Sequence, residues 1–392
     1  MSTDWNTRTK LVHEGVRRSQ YGEMAEAIFM TQGFVYPSAE AAEQRFVAIG
    51  EDEFIYARYG NPTTRMFEDR IAAIEGTEDA FATASGMAAV NGALTSLVKA
   101  GDHVVAAKQM FGSCLYVLEV LARFGVEVTL IDGTDLDAWR SSVREGTKFV
   151  FFESVSNPGL EVIDIKSVAE IAHAKGAMVV VDNVFSTPVY TRAVALGADV
   201  VIYSTTKHID GGGRALGGVV CGTKEYIRGT LEPYLKHTGA AMSPFTAWIM
   251  LNGLQTLDLR VRAQTENAAK VAEALMASDK ISRVSYPGHA SHPQHALVMD
   301  QMGAGGTMVT FEVAGGKEAA FKMLNAMEII KISNNLGDSK SIATHPATTT
   351  HQRLPQDQKD ELGITSGLIR LSLGIEDARD LVADITKALA AI

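Results

Sequence analysis

The sequence predicts an α/β fold built on a mostly parallel sheet. Between about residues 64 and 222, helical patterns alternate with short strand patterns rich in β-branched and aromatic residues. The strand segments are continuous apolar runs, which are typical of strands that helices cover on both faces. Several helical segments are followed by a glycine, such as Gly76 and Gly197, at the position where a left-handed residue commonly ends a helix.

The predicted elements follow one another in chain order. Helices are expected over 64–76, 85–100, 111–124, 165–175 and 188–196, and strands over 102–107, 127–132, 148–154, 177–182, 199–205 and 217–221. A long helical region follows over 244–278, then strands over 306–314, 328–333 and 368–373 with helices over 316–326 and 376–391. This last region indicates a smaller α+β unit.

The chain is expected to divide into three parts. Residues 1–63 show little regular pattern, and such an arm lacks a core of its own, so we expect it to reach a neighbouring subunit. Residues 64–245 form the large domain, and residues 246–392 form a connecting helix and a C-terminal domain. A chain of 392 residues is long enough for each of the two domains to bury a hydrophobic core.

The composition excludes several classes of function. With 36 basic and 46 acidic residues, the net charge of −10 provides no general attraction for nucleic acid or an anionic membrane. Neither a secretory leader nor a long apolar span is predicted. The two cysteines, Cys114 and Cys221, form neither a disulfide framework nor a metal cluster, which suits the cytoplasm. The histidines at 289, 292 and 295 lie in a loop pattern, so no metal is expected.

Polar side chains follow three strands of the predicted sheet. Asn157, Asp182 and Lys207 each lie at or just beyond a strand's carboxyl end, where open parallel sheets bind ligands. Taken singly, Asp182 could be a turn residue and Lys207 a solvated amine. Hydroxyls surround Lys207 in the segment 204–208, and the segment 84–88 opens a helix where an anion is favoured. An amine, a carboxylate and a phosphate cradle together are what pyridoxal phosphate requires.

Six motifs in chain order carry a resemblance to a known family. They are Tyr-Ala-Arg-Tyr-Gly-Asn-Pro-Thr at 56–63, Ser-Gly-Met-Ala at 85–88, Glu-Ser-Val-Ser-Asn-Pro at 153–158, Val-Asp-Asn at 181–183, Ser-Thr-Thr-Lys at 204–207 and Ile-Arg-Leu-Ser-Leu-Gly-Ile-Glu at 369–376. The chain resembles the Cys/Met-metabolism group of pyridoxal-phosphate enzymes over nearly its whole length. That resemblance implies fold type I, the architecture of aspartate aminotransferase.

The resemblance also implies roles for individual residues. Lys207 would bind the cofactor covalently and move protons, Asp182 would hold the ring nitrogen protonated, and Arg370 would bind the substrate's α-carboxylate. The cofactor's phosphate would be bound by Gly86, Met87, Ser204 and Thr206. Phe111 would stack on the cofactor's ring, and Asn157 would bind near its phenolic oxygen. Tyr56 and Arg58 would reach the cofactor of the neighbouring subunit. A catalytic dimer follows, and the family usually pairs two such dimers into a homotetramer.

Two departures from the family pattern bear on the reaction. Phe111 stands where many members have tyrosine, and it cannot donate a proton. A carboxylate leaving group needs little protonation, so this favours an acylated homoserine as substrate. The resemblance leaves Tyr56 and Lys207 as catalytic residues that could still supply protons. Asn335 stands where many members have a substrate-binding serine before Leu-Gly. The chain's length and the segment 31–36 resemble the succinylhomoserine sulfhydrylases.

The expected reaction is therefore γ-replacement, in which sulfide and O-succinylhomoserine give homocysteine and succinate for methionine biosynthesis. The alternatives within the family are O-acetylhomoserine sulfhydrylase, cystathionine γ-synthase and methionine γ-lyase. A nicotinamide-dependent dehydrogenase is disfavoured, because no Gly-x-Gly-x-x-Gly pattern follows an early strand. A non-catalytic scaffold is disfavoured because it has no need of a strand-end lysine facing an aspartate.

Overall fold

The computed structural model describes residues 5–50 and 52–392, and it contains two β-sheets packed against helices. Residues 1–4 and 51 of the expected arm lie outside the described residues. The larger sheet occupies the middle of the chain and the smaller sheet follows it. No described helix combines the length and the apolar character needed to cross a membrane.

The larger sheet has the predicted mostly parallel arrangement. Its strands are β1 (Asp79–Thr83), β2 (His103–Ala107), β3 (Glu127–Ile131), β4 (Thr147–Glu153), β5 (Met178–Asp182), β6 (Val200–Tyr203) and β7 (Gly218–Gly222). They pair in the order β1-β7-β6-β5-β4-β2-β3. Strands β3, β2, β4, β5 and β6 run parallel, whereas β7 runs antiparallel to both of its neighbours. This arrangement confirms the predicted fold class.

Helices connect and cover these strands. In chain order up to residue 238, the helical elements are α1 (Thr7–His13), α2 (Ala39–Val47), α3 (Pro62–Glu75), α4 (Gly86–Thr95), α5 (Gly112–Arg123), α6 (Leu136–Ser142), α7 (Ile165–His173), α8 (Thr187–Tyr190), a 3-10 turn (Ala193–Leu196), a π-helix (Glu225–Leu231) and α9 (Glu232–Thr238). Apolar side chains from both faces of the sheet pack against them in two clusters. Each face of the central strands is therefore buried, as their continuous apolar sequences require.

The smaller sheet is mainly antiparallel. Its strands are β8 (Ile281–Ser285), β9 (Met308–Val313), β10 (Lys331–Ile332), β11 (Ile342–Thr344) and β12 (Leu368–Ser372), in the order β10-β11-β12-β9-β8. The accompanying helices are α10 (Pro244–Gln255), α11 (Leu257–Met276), α12 (His295–Gln301), α13 (Gly316–Ala326), a 3-10 turn (Pro346–Thr348), α14 (Gln356–Glu361) and α15 (Ala378–Ala390). Residues of α11, α13 and α15 share one core with this sheet.

Several element predictions were wrong. The helical region expected over 244–278 is two helices, because the backbone leaves the helical conformation at Thr256. The helix expected over 188–196 is the short α8 followed by a 3-10 turn. Strands β1, β8 and β11 were not predicted, and β8 carries polar, exposed residues that obscure its pattern. The arm contains α1 and α2, although little regular structure was expected there.

Gly253 marks a close contact between α10 and the segment that follows Lys207. A Cβ atom at Gly253 would lie 2.0 Å from the carbonyl oxygen of Ile209, a backbone atom that cannot move independently. Arg260 fixes the same segment, because its guanidinium donates to the carbonyl oxygen of His208 at 2.7 Å. The absence of a side chain at Gly253 therefore allows α10 to support this segment.

We expect Gly253→Ala to lower the melting temperature, with a cost of about 1–3 kcal/mol in the free energy of unfolding, because the new methyl group overpacks this contact. Gly229→Ala is the matched control, since a Cβ atom there meets nothing within 4 Å. Thermal denaturation followed by circular dichroism compares the two variants with the parent protein. Equal melting temperatures for both variants would contradict the contact described above.

Candidate active site

A cavity of about 400 Å³ lies at the carboxyl ends of β4, β5 and β6, beside the smaller sheet. Most of the residues singled out from the sequence line it. The lining comprises Ser85, Gly86, Met87, Val90, Phe111, Cys114, Glu153, Val155, Asn157, Asp182, Val184, Phe185, Ser204, Thr206, Lys207, Leu216, Asn334, Leu336, Thr350 and Arg370. The three strand-end residues Asn157, Asp182 and Lys207 thus open onto a single cavity.

Lys207 follows β6 and points its amine into this cavity. The Nζ atom donates a hydrogen bond to Oδ1 of Asn335 at 2.6 Å. Burial lowers the pKa of Lys207 to about 8, and the positive charge of Arg370 contributes to the same shift. A substantial fraction of the amine is therefore neutral in mildly alkaline solution, and the neutral form is the one that attacks a carbonyl carbon.

Asp182 ends β5 and lies beside Glu153, which ends β4. The two residues pair in register, so their side chains share one face of the sheet. Oδ1 of Asp182 accepts the N–H of Val184 at 3.2 Å. Burial raises the pKa of Asp182, and the nearby Lys207 amine opposes that shift. A cationic ring nitrogen placed against this carboxylate would stabilise its charge in the same way.

Arg370 brings the smaller sheet into the site. It lies on β12, and its side chain is fully buried. Nη1 donates to Oδ1 of Asn157 at 2.6 Å, and Nη2 donates to the carbonyl oxygen of Asn335 at 3.4 Å. The Nε atom is buried and has no hydrogen-bond partner within residues 5–50 and 52–392. The guanidinium is held in place while keeping a donor for an anion such as a carboxylate.

The other end of the cavity is suited to a phosphate. Ser85 caps α4, whose first residues are Gly86 and Met87, so free backbone N–H groups and the positive end of the helix dipole face this region. The Ser204 and Thr206 side chains also line the cavity. A Cβ atom at Gly86 would lie 2.6 Å from Cβ of Ser204, so only glycine fits here. The close approach of the two segments creates a cradle for an anion.

Phe111 contributes its ring to the cavity, whereas Tyr56 and Arg58 do not reach it in this chain. The Phe111 N–H donates to Oε1 of Glu153 at 2.7 Å. Arg58 donates to the carbonyl oxygen of Lys236 and lies 5.0 Å from the ring centre of Tyr59. Tyr56 and Arg58 are absent from the lining of the cavity.

Two residues at the floor of the cavity were not predicted as site residues. Glu153 was noted only within a motif, although it ends a strand just as Asp182 does. Cys114 was interpreted as core filling, and it is indeed buried, but it also lines the cavity three residues after Phe111. The position of Glu153 at a strand end was a usable signal. Nothing in the sequence distinguished Cys114 from a residue of the core.

The chain matches a profile of the family described as Cys/Met metabolism PLP-dependent enzyme, over residues 8–390. The chain belongs to this family. Two relatives named O-succinylhomoserine sulfhydrylase support it. The one from Mycobacterium tuberculosis H37Rv is 49% identical over 386 residues, covering 96% of this chain and 94% of the relative. The one from Pseudomonas aeruginosa is 45% identical over 385 residues, covering 98% and 95%.

A solved structure from the same family shows the cofactor. A Campylobacter jejuni protein, described as an O-acetylhomoserine (thiol)-lyase, superposes with a TM-score of 0.94 at 30% identity, covering 98% of this chain and all of that chain. That structure contains N′-pyridoxyl-lysine-5′-monophosphate, in which the cofactor is joined to a lysine. The family is PLP-dependent, and the amine, carboxylate and anion cradle of this cavity fit that cofactor.

The effect of the Arg370 charge on the pKa of Lys207 can be tested without the cofactor. We expect Arg370→Gln to raise the pKa of Lys207 in the apoenzyme by about half a pH unit or more, because it removes a like charge. The pH dependence of Lys207 labelling by an amine reagent, followed by peptide mass spectrometry, measures this. Arg379→Gln, at an exposed arginine on α15, is the control and should leave the profile unchanged. A lower pKa in the Arg370 variant would contradict this account.

Proposed function

We propose that this chain catalyses γ-replacement, converting O-succinylhomoserine and sulfide to homocysteine and succinate. The observation that carries the proposal is the placement of Lys207, Asp182 and Arg370 around one cavity. The substrate is supported by the two relatives named O-succinylhomoserine sulfhydrylase, which are 49% and 45% identical over nearly the whole chain. The reaction breaks the bond from Cγ to the succinyl oxygen and forms a bond from Cγ to sulfur.

Each proposed role uses a group already in position. Bound pyridoxal phosphate supplies an electron sink that acidifies the hydrogens of the amino acid's α- and β-carbons. The Lys207 amine anchors the cofactor, then takes the proton from the substrate's Cα and returns it. Arg370 binds the substrate's α-carboxylate with its guanidinium. Asp182 holds the ring nitrogen protonated.

The remaining predicted residues have supporting roles in this proposal. The start of α4 and the hydroxyls of Ser204 and Thr206 would hold the phosphate. Phe111 would supply a ring for stacking, and Asn157 would bind the phenolic oxygen while it also supports Arg370. Asn335 is not among the residues that line the cavity, and it would serve the substrate through its hydrogen bond to Lys207.

The lack of a proton donor at Phe111 is compatible with succinate as the leaving group. Succinate departs as a stable carboxylate, so its departure does not need a strong acid beside Cγ. Phe111 has no hydroxyl to donate, and the cavity lining also includes the apolar Leu216 and Val90. A thiolate leaving group, as in γ-elimination from methionine, gains more from an acid at this place.

The proposed assembly is a cytoplasmic homotetramer made of two catalytic dimers. The arm of residues 1–63 carries exposed apolar side chains, among them Tyr21, Met24 and Val35, which a neighbouring subunit would bury. Tyr56 and Arg58 then complete the neighbour's cofactor site, since they lie away from the cavity of their own chain. Residues 64–245 form the cofactor domain and residues 246–392 the C-terminal part.

The substrate is tested with three mixtures: O-succinylhomoserine with sulfide, O-acetylhomoserine with sulfide, and O-succinylhomoserine with cysteine. We expect homocysteine from the first mixture at the highest kcat/KM, measured by chromatography of the products. Lys207→Ala should remove turnover, because it removes both the anchoring amine and the base. Cystathionine as the dominant product, or faster use of the acetyl substrate, would overturn the substrate assignment.

Arg370→Ala should raise KM for O-succinylhomoserine by about tenfold or more, because a charge-assisted bidentate contact with the carboxylate is lost. The visible absorbance of the bound cofactor should persist, since Asp182 and Lys207 are unchanged. Steady-state kinetics and an absorbance spectrum test both points. A colourless Arg370 variant would show that this residue serves the cofactor rather than the substrate.

A further inference from the structure

Glu153 lies directly beside Asp182 at the floor of the cavity. The two residues pair in register at the ends of β4 and β5; Glu153 is buried and Asp182 is half-buried at the cavity wall. One oxygen of each carboxylate and the sulfur of Cys114 lie within 4.8 Å of one another. Two carboxylates this close together in a largely buried place disfavour carrying a charge each.

The hydrogen bonds of Glu153 are divided unequally between its two oxygens. Oε1 accepts the N–H of Phe111 at 2.7 Å, at the start of α5. Oε2 is buried and has no partner among the described residues. A protonated carboxyl fits this arrangement, with a carbonyl oxygen as acceptor and a hydroxyl left to donate toward the cavity.

The charges around the pair favour Asp182 as the ionised member. The amine of Lys207 lies near Asp182, and Cys114 from α5 and Arg370 from β12 face the same floor. Arg370 is already bound to Asn157 and makes no ion pair with Glu153 in the described part of the chain. Burial and the charge of Asp182 both raise the pKa of Glu153. The Phe111 N–H, the charge of Arg370 and the backbone N–H of Asn157 only partly oppose this shift.

We propose that Glu153 is a positioning residue that retains its proton, so that Asp182 is the single anion at this end of the cavity. This inference rests on the cofactor-binding part of the proposed function. A neutral Glu153 leaves the full negative charge of Asp182 available to the ring nitrogen. Its bond to the Phe111 N–H also fixes the start of α5, and with it the ring that faces the cofactor.

The protonation state is measured in the apoenzyme, by isotope-edited infrared difference spectra with labelled glutamate. We expect the carbonyl band of a protonated glutamic acid at neutral pH, and we expect Glu153→Gln to remove part of it. Glu23→Gln is the control, because hydrogen bonds from Ser19 lower the pKa of Glu23, so this variant should lose a carboxylate band and leave the protonated band unchanged. Loss of a carboxylate band from Glu153→Gln, with no loss from the protonated band, would overturn the proposal.

Cofactor binding gives an independent measurement. Glu153→Gln keeps a neutral group and the acceptor for Phe111, so the dissociation constant for pyridoxal phosphate should stay within about threefold at neutral pH. In the parent protein, ionisation of Glu153 at high pH should change the affinity, because a second anion forms beside Asp182, and this change should be missing in Glu153→Gln. Glu153→Ala should weaken binding about tenfold, because Phe111 loses its acceptor.

Two results would contradict a protonated Glu153. One is a large loss of pyridoxal-phosphate affinity at neutral pH in Glu153→Gln, and the other is a pH dependence of affinity at high pH that is the same in Glu153→Gln and in the parent protein. These results are separable from the substrate assignment. If turnover of O-succinylhomoserine fails while the infrared and binding results hold, the substrate is wrong and the role of Glu153 stands. If turnover succeeds and the infrared result fails, only the role of Glu153 falls.

Discussion

The parallel register of β4, β5 and β6 is the constraint on which the candidate site depends. Parallel strands end at the same edge of a sheet, so Glu153, Asp182 and the segment leading to Lys207 meet there without any special contact to gather them. Apolar clusters cover both faces of the sheet beside this edge. Burial in turn sets the chemistry, because it raises the pKa of Asp182 and lowers that of Lys207.

The smaller sheet supplies what the larger sheet lacks. Arg370 lies on β12, and Asn335 lies between β10 and β11, yet both contact groups of the larger sheet's edge. The bonds from Lys207 to Asn335 and from Arg370 to Asn157 therefore cross the cavity. The guanidinium therefore offers a carboxylate a binding group on the side of the cavity opposite the Lys207 amine.

Much of this arrangement could be predicted from the sequence, because strand ends and capped helices have local signals. Asn157, Asp182 and Lys207 were identified by that rule, and the family resemblance added Arg370. The break at Thr256 was not predictable in this way, since it depends on how α10 and α11 pack. Strand β8 has too weak an apolar pattern, and the second role of Cys114 exists only once α5 lies against the sheet. Such features depend on tertiary contacts.

The crossing contacts also have a consequence for how the protein matures. Lys207 emerges from the ribosome well before β12, which lies near the end of the chain. Until Arg370 and Asn335 have been synthesised and the smaller sheet has formed, Lys207 and Asn157 lack the partners that hold them. A nascent chain that stops before β12 carries Lys207 but not the finished cavity, so the completion of this cavity belongs to the whole polypeptide.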